Sequence, residues 1–540
     1  MKLRLMIVLA MCLAFVGGEM KIVDMSHDLS MLMPFWAGDP EFNFTILTRN
    51  NTAGGFWYES NAFQTAEHGG THLDSPSHFY QGSWRTQDIP IKNLFGPGVV
   101  INVTDKVLTN PDYRVKTSDL THWEANYGRI PRNAVVIMNS GWQYKFPNKN
   151  SVFNTPDAED PSTYHFPGWH EKAVQWLVDN RKVNIIGVDT PSTDYGQSKL
   201  FPVHVILGRH QISGLENVAN LDNVPTHGAI IYAPVVKLYD GSGGPARVFA
   251  TYDDAARNMK LRLMIVLAMC LAFVGGEMKI VDMSHDLSML MPFWAGDPEF
   301  NFTILTRNNT AGGFWYESNA FQTAEHGGTH LDSPSHFYQG SWRTQDIPIK
   351  NLFGPGVVIN VTDKVLTNPD YRVKTSDLTH WEANYGRIPR NAVVIMNSGW
   401  QYKFPNKNSV FNTSDAEDPS TYHFPGWHEE AVQWLVDNRK VNIIGVDTPS
   451  TDYGPSKLFP VHVILGRYQI SGLENVANLD NVPTHGAIIY APVVKLYDGS
   501  GGPARVFATY DDAAVVCSAS RTSLGISFVL LLQCVIFLVG

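Results

Sequence analysis

Short apolar runs punctuate each half of this chain, separated by polar stretches rich in Gly, Pro and Asn. Residues 98–103 read Gly-Val-Val-Ile-Asn-Val and predict a buried strand. Residues 133–138 predict another, ending in the turn-like Asn139-Ser140-Gly141. From 167 to 178 the period changes: Trp169, Ala173, Trp176 and Leu177 fall at helical spacing. A third apolar run, 183–188, leads into Asp189-Thr190-Pro191. Strand, helix and strand in that order predict a βαβ unit. Runs at 229–236 and 247–251 add further strands. The pattern predicts a mixed α/β class with one domain per half.

The halves are near-identical. Residues 1–256 recur as 259–514, so that His68 becomes His326, an offset of 258. Four positions differ: Pro156/Ser414, Lys172/Glu430, Gln197/Pro455 and His210/Tyr468. The period is a whole domain, which excludes a solenoid. Residues 1–18 have the charge and apolarity of a signal peptide, and 259–276 repeat them between the copies. The expected domains are therefore 19–256 and 277–514. An apolar tail at 518–540 reads as a lipid-anchor signal or membrane anchor. Sequons at Asn43, Asn50 and Asn102 fit a secretory route, with the globular part extracellular or anchored at the cell surface.

Composition narrows the chemistry. Hydrophobic residues make up 44% and charged residues 17%, an ordinary globular balance, and the net charge of −10 comes without any basic run. Nucleic acid is excluded as an expected partner. The four cysteines, Cys12, Cys270, Cys517 and Cys534, lie in or beside the leader-like and tail segments. Thiolate metal sites are thereby excluded, and any metal must be held by His and carboxylates.

Such residues concentrate at 67–79, Glu-His-Gly-Gly-Thr-His-Leu-Asp-Ser-Pro-Ser-His-Phe. Gly69 and Gly70 argue against a helix. In an extended segment His72 and Asp74 share one face, the Gly-Gly turn folds His68 back towards them, and Pro76 lets His78 enter the same cavity. Imidazole with carboxylate suits Zn²⁺ or Mn²⁺. A lone histidine is usually structural; three with an aspartate this close point to a metal site.

This stretch resembles the signature of the putative cyclase family, which includes bacterial-type kynurenine formamidase and isatin hydrolase. Residues 34–39, Pro-Phe-Trp-Ala-Gly-Asp, and 187–192, Gly-Val-Asp-Thr-Pro-Ser, are similar to further family segments. So is the pair His204 and Glu216. The resemblance spans about residues 20–255 of each copy. It implies a swivelling β/β/α-type domain, often homodimeric, with the two copies pairing within one chain as an alternative. It implies one or two divalent metals per copy, with His68, His72 and Asp74 at one site and Asp74, His204 and Glu216 at a second. His78 would transfer protons and Trp36 would line the substrate pocket. The second copy would use His326, His330, Asp332, His462, Glu474, His336 and Trp294 in the same roles. Ala37 stands where formamidases often have Pro.

The expected activity is metal-dependent hydrolysis of an amide C–N bond, arylformamidase-like, with an aromatic substrate. An isatin-type lactam hydrolase is the alternative that the signature does not separate. Lactonase or dehydratase-like chemistry is a further option. A non-catalytic surface-anchored binding protein is the reading from another class. His27, His122, His165, His170 and His227 read as structural or exposed, and the loop 189–192 reads equally as pocket lining or as a turn.

Overall fold

The computed structural model describes residues 20–253 and 278–511. The expected leader at 1–18, the internal segment at 259–276 and the tail at 518–540 lie outside the described residues. Among the described residues no helix is long and apolar enough to cross a membrane.

The strands of the first copy are β1 (Met20–Asp24), β2 (Asn43–Asn51), β3 (Trp57–Ala66), β4 (His72–Asp74), β5 (Phe95–Asn102), β6 (Arg114–Val115), β7 (Val135–Asn139), β8 (Gly168–Trp169), β9 (Ile185–Val188), β10 (Ser213–Glu216), β11 (His227–Tyr232), β12 (Gly243–Pro245) and β13 (Phe249–Asp253). Nine of them form a mixed sheet in the order β1-β13-β11-β5-β7-β9-β10-β4-β12. Strands β5, β7, β9 and β10 are parallel neighbours. The runs Val-Val-Ile and Ile-Ile-Gly-Val are buried on both faces, as interior parallel strands require. The helices Glu171–Asn180 and Pro202–Arg209 pack together over one face with Trp123, Trp142 and Trp169. The expected α/β class and βαβ unit are present.

One boundary differs from expectation. Residues 168–169 are a two-residue strand paired with β6, and the helix begins at Glu171. The His170 side chain caps it by accepting from the Lys172 amide at 3.2 Å. An imidazole acceptor at the N-cap holds the preceding residues extended, although Trp169 continues the helical spacing.

The second copy repeats this architecture as β14 to β26. Its strands β15 (Asn301–Asn309) and β16 (Trp315–Ala324) form a hairpin arm, as β2 and β3 do in the first. The arms join into one four-stranded sheet ordered β15-β16-β3-β2. Across the join Gln64 faces Gln322, Ala62 faces Ala324 and Ala66 faces Ala320. This self-complementary register is that of an isologous contact, made here within one chain. The core under the nine-stranded sheets is also shared, running from Leu73, Ile137 and Phe249 to Leu331, Ile395 and Phe507.

Candidate metal centre and substrate pocket

Strand β4 pairs antiparallel to β10, setting His72 opposite Glu216 and Asp74 opposite Gly214. His72 and Asp74 therefore share a face, and Glu216 joins them from the neighbouring strand. Two glycines make the room. A Cβ on Gly214 would sit 2.9 Å from Asp74 Oδ2, and one on Gly243 would sit 2.5 Å from His68 Cε1. His204 arrives on the helix Pro202–Arg209, whose first turn is held by Asp194. That carboxylate accepts from the amides of Val203 at 3.3 Å and His204 at 3.1 Å.

Each of three histidines has one ring nitrogen committed to the protein and the other turned to carboxylate. His72 donates Nδ1–H to the Gly70 carbonyl at 3.0 Å, leaving Nε2 at 3.2 Å from Asp74 and 3.5 Å from Glu216. His204 pairs Nδ1 with Asp194 at 2.7 Å, leaving Nε2 at 3.3 Å from Asp74 and 3.2 Å from Glu216. His68 Nε2 lies 3.1 Å from Ser242 Oγ, which itself donates to Glu67 at 2.5 Å and so accepts from the imidazole. His68 Nδ1 is then left 2.8 Å from Asp74 Oδ1. In neutral imidazoles, three nitrogen lone pairs face carboxylate oxygens. A positive charge between them is required.

The atoms themselves point the same way. His72 Nε2 and Asp74 Oδ2 are buried without a hydrogen-bond partner, as are His330 Nε2 and Asp332 Oδ2 in the second copy. His72, Asp74 and Glu216 present ligand atoms within 4.8 Å of one another, and so do His68, Asp74 and His78. Outer acceptors that fix the imidazoles, as Asp194 and Gly70 do, are the usual surroundings of ligating histidines. The donor set fits a divalent cation of the Zn²⁺ or Mn²⁺ kind.

Without such an ion the charges are balanced by protons. Burial alone would depress His72, but Asp74 and Glu216 outweigh it and leave its pKa at about 9. His204 is likewise carried well above the imidazole range against burial, by Asp194, Asp74 and Glu216. Burial pushes the Asp74 carboxyl up, yet His204, His68 and His72 hold it well below the usual range. Glu216 is raised, first by burial and then by Asp74.

His78 is different. Its short 3-10 turn, Pro76–His78, brings it face to face with His68, the ring centroids 3.8 Å apart. It donates Nδ1–H to the backbone carbonyl of Glu317, at 2.5 Å, in the other copy's arm. Burial, then the neighbouring His68, keeps it well below the ordinary imidazole pKa. Both causes favour the neutral imidazole.

A cleft of about 600 Å³ opens over these residues. The first copy supplies Trp36, Asp39, Phe79, Pro191, Ser192 and Phe201 to its walls. The second supplies Leu305, Thr306, Thr310, Phe314, Tyr316 and Ser318 from its arm. Trp36 lies edge-on to Tyr164, with ring centroids 5.0 Å apart. The loop 189–192 is both lining and turn: Pro191 and Ser192 face the cleft, and Asp189 binds back to Ser140 and Trp142. The second copy repeats the geometry, with His330 Nε2 3.3 Å from Asp332 and His462 Nε2 3.2 Å from Glu474. His326 stacks on His336, and Trp294 lies edge-on to Tyr422.

The other histidines are apart from this centre. His27 stacks on Phe146, His122 meets Asn126, His165 pairs with Asp112, and His227 lies against Tyr127. Sequence reading missed Asp194, which orients His204, and Glu67 and Ser242, which orient His68. It also missed the whole contribution of the opposite arm.

Comparison with known proteins gives the family. The family model described as putative cyclase matches residues 23–195 and again 281–453. The chain belongs to the putative cyclase family. Among curated relatives of this cyclase-family chain, isatin hydrolase of Roseibium aggregatum is 29% identical over 254 residues, covering 44% of the chain and 94% of that protein. Kynurenine formamidase of Bacillus anthracis is 26% identical over 227 residues, covering 42% of the chain and 95% of that protein. Among solved structures, isatin hydrolase A from Ralstonia solanacearum is 30% identical with a TM-score of 0.41, covering 46% of the chain and 97% of that structure.

Proposed function

We propose that each copy is a metal-dependent hydrolase that opens an amide C–N bond in a small aromatic substrate. The observation that carries this reading is the set of three histidines whose free nitrogens converge on Asp74 and Glu216. His68, His72, Asp74, His204 and Glu216 would hold one or two divalent ions, and His326, His330, Asp332, His462 and Glu474 would do so in the second copy. When bound, such an ion supplies Lewis acidity, lowering the pKa of water from 15.7 towards about 7 and polarising a carbonyl.

The chain's own residues do the rest. His78 Nε2 takes the proton of the attacking water and returns it to the leaving nitrogen; the Nδ1 bond to Glu317 keeps the ring in the tautomer this requires. Trp36, Phe79, Phe201 and Phe314 flank a flat ring and exclude water. Among the described residues lining the cleft there is no Lys or Arg, and Asp39 adds negative charge. N-formylkynurenine is a zwitterion: its α-carboxylate finds no cationic side chain there, while its α-ammonium would meet Asp39. The apolar rings of the lining suit a neutral fused lactam of the isatin type, which carries neither charge.

The test begins with the full chain and elemental analysis. One or two equivalents of zinc or manganese per copy are expected, with isatin opened faster than N-formylkynurenine and both activities lost to a chelator. A folded chain that stays metal-free after incubation with both ions would sink the hydrolase reading. His78→Ala should keep the metal and lower turnover by roughly 10²–10⁴. If the metal is lost instead, His78 is a ligand of the His68–Asp74–His78 group.

A further inference from the structure

Within the hydrolase reading, we propose that Tyr316 and Ser318 on the second copy's arm hydrogen-bond a carbonyl oxygen of the substrate held at the first copy's centre. Tyr58 and Ser60 do the same for the second centre.

The argument starts from strand alternation. Along β16 the odd positions are committed to docking. Trp315 donates its indole N–H to the Ser77 carbonyl at 3.1 Å. The Glu317 side chain binds Arg85 at 2.5 Å, and Asn319 binds Glu67 at 2.9 Å. Tyr316 and Ser318, two apart, must then face the opposite way. That way is the first copy's cleft, which both residues line. A register shift between Ile304 and Thr306 bends the partner strand at this level and brings Leu305 and Thr306 to the same wall.

The two hydroxyls have little else to do. Ser318 is 1% exposed, and its Oγ adjoins the Tyr316 phenol without a well-formed hydrogen bond to any protein group. Its mirror image, Ser60 Oγ, is equally unpartnered. The Tyr316 ring lies 5.3 Å from that of His78 and 5.2 Å from that of Phe79, which places it beside the proposed proton carrier. Burial, then the fields of Asp39, Asp74 and Glu216, hold the phenol in its protonated form. A half-buried protonated phenol and an unsatisfied hydroxyl on one rigid strand form a pair of preorganised donors. Carbonyl oxygen is the acceptor they suit, because both groups donate and the oxygen gains negative charge as the carbonyl is attacked.

The test exploits the crossing of the arms and uses the zinc-loaded full chain with isatin as probe. Asp332→Asn disables the second centre, and Asp74→Asn the first. In the Asp332→Asn background, Tyr316→Phe with Ser318→Ala should lower kcat/KM by on the order of 10². That loss should exceed the loss from Tyr58→Phe with Ser60→Ala by at least about tenfold. In the Asp74→Asn background the order should reverse. Isatin binding, followed by tryptophan fluorescence, should weaken in parallel. Equal losses from both pairs in both backgrounds, or unchanged kcat/KM and affinity, would overturn the proposal. A zinc-loaded parent that neither binds nor opens isatin overturns it while leaving the metal centre standing. A parent that takes up no zinc overturns the hydrolase reading and this proposal together.

Discussion

At the scale of single residues, the centre depends on what is small and on what stands behind the proposed ligands. Gly243 has no side chain because His68 occupies the space where one would be, 2.5 Å from a Cβ. Gly243→Ala should displace His68 and cost roughly 10-fold or more in metal affinity, with the melting temperature little changed; competition with a chromogenic chelator would measure it. Asp194 touches no substrate, yet it fixes the His204 ring and the start of its helix. Asp194→Ala should weaken metal affinity by roughly 10–100-fold. An unaltered affinity would mean that His204 needs no orienting partner. The proposed ligands in residues 68–74 were legible in the sequence because they lie within one turn and one strand. Asp194 was not, because nothing in its local sequence tells a helix-capping carboxylate from a solvated one.

The element that sequence reading missed is the arm. Strand β3 reads Trp-Tyr-Glu-Ser-Asn-Ala-Phe-Gln-Thr-Ala, with Glu59, Ser60 and Asn61 in succession. Three consecutive polar residues suggest a loop, but all three are buried. Two of them find partners in the other copy: Asn61 reaches Glu325 at 2.9 Å, and Glu59 reaches Arg343 at 2.5 Å. Periodicity within one copy cannot register burial that a second copy supplies. By contrast, β5, β7 and β9 were legible because they are continuously apolar and buried on both faces. The docking of the arm yields a prediction. Glu317 is fully buried and shared by Arg85 at 2.5 Å and Arg307 at 2.8 Å. Glu317→Gln leaves only the half-buried Asp240 to balance both guanidiniums and should destabilise the chain by roughly 3 kcal/mol. Calorimetry should show the loss, and the first centre should suffer more than the second, because His78 leans on the Glu317 carbonyl.

At the scale of the whole molecule, the copies form one body with two centres. Asp74→Asn and Asp332→Asn should each leave about half of the total rate, and the double variant none. A residual rate far from half would show that the four differences between the copies matter to function. Gln197 is a candidate: it donates to the Tyr164 carbonyl at 2.5 Å, and Pro455 cannot. Stability also carries a pH signature. His27 and His285 are lowered to about 4, chiefly by burial and then by Lys495 and Lys237 of the opposite copy. Asp24 and Asp28, with Asp282 and Asp286, oppose the shift without cancelling it. The unfolded imidazoles take up protons first, near their ordinary pKa of about 6.5. Their contribution to stability is complete above that pH and is lost as pH falls towards 4. Since His27 Nε2 has no hydrogen-bond partner and the ring stacks on Phe146, His27→Phe with His285→Phe should flatten the fall in melting temperature between pH 7 and 5.

The exchanged arms have one more consequence. In a pair of separate subunits, a wall lent by a neighbour is lost on dilution, and activity then depends on protein concentration. Here lender and borrower are one covalent chain, so the encounter is unimolecular and has a fixed effective concentration. Specific activity should hold constant down to nanomolar protein. Each half also carries two separable duties, the chemistry of its own centre and the wall of the other. A half that lost its ligands would still be needed as a donor.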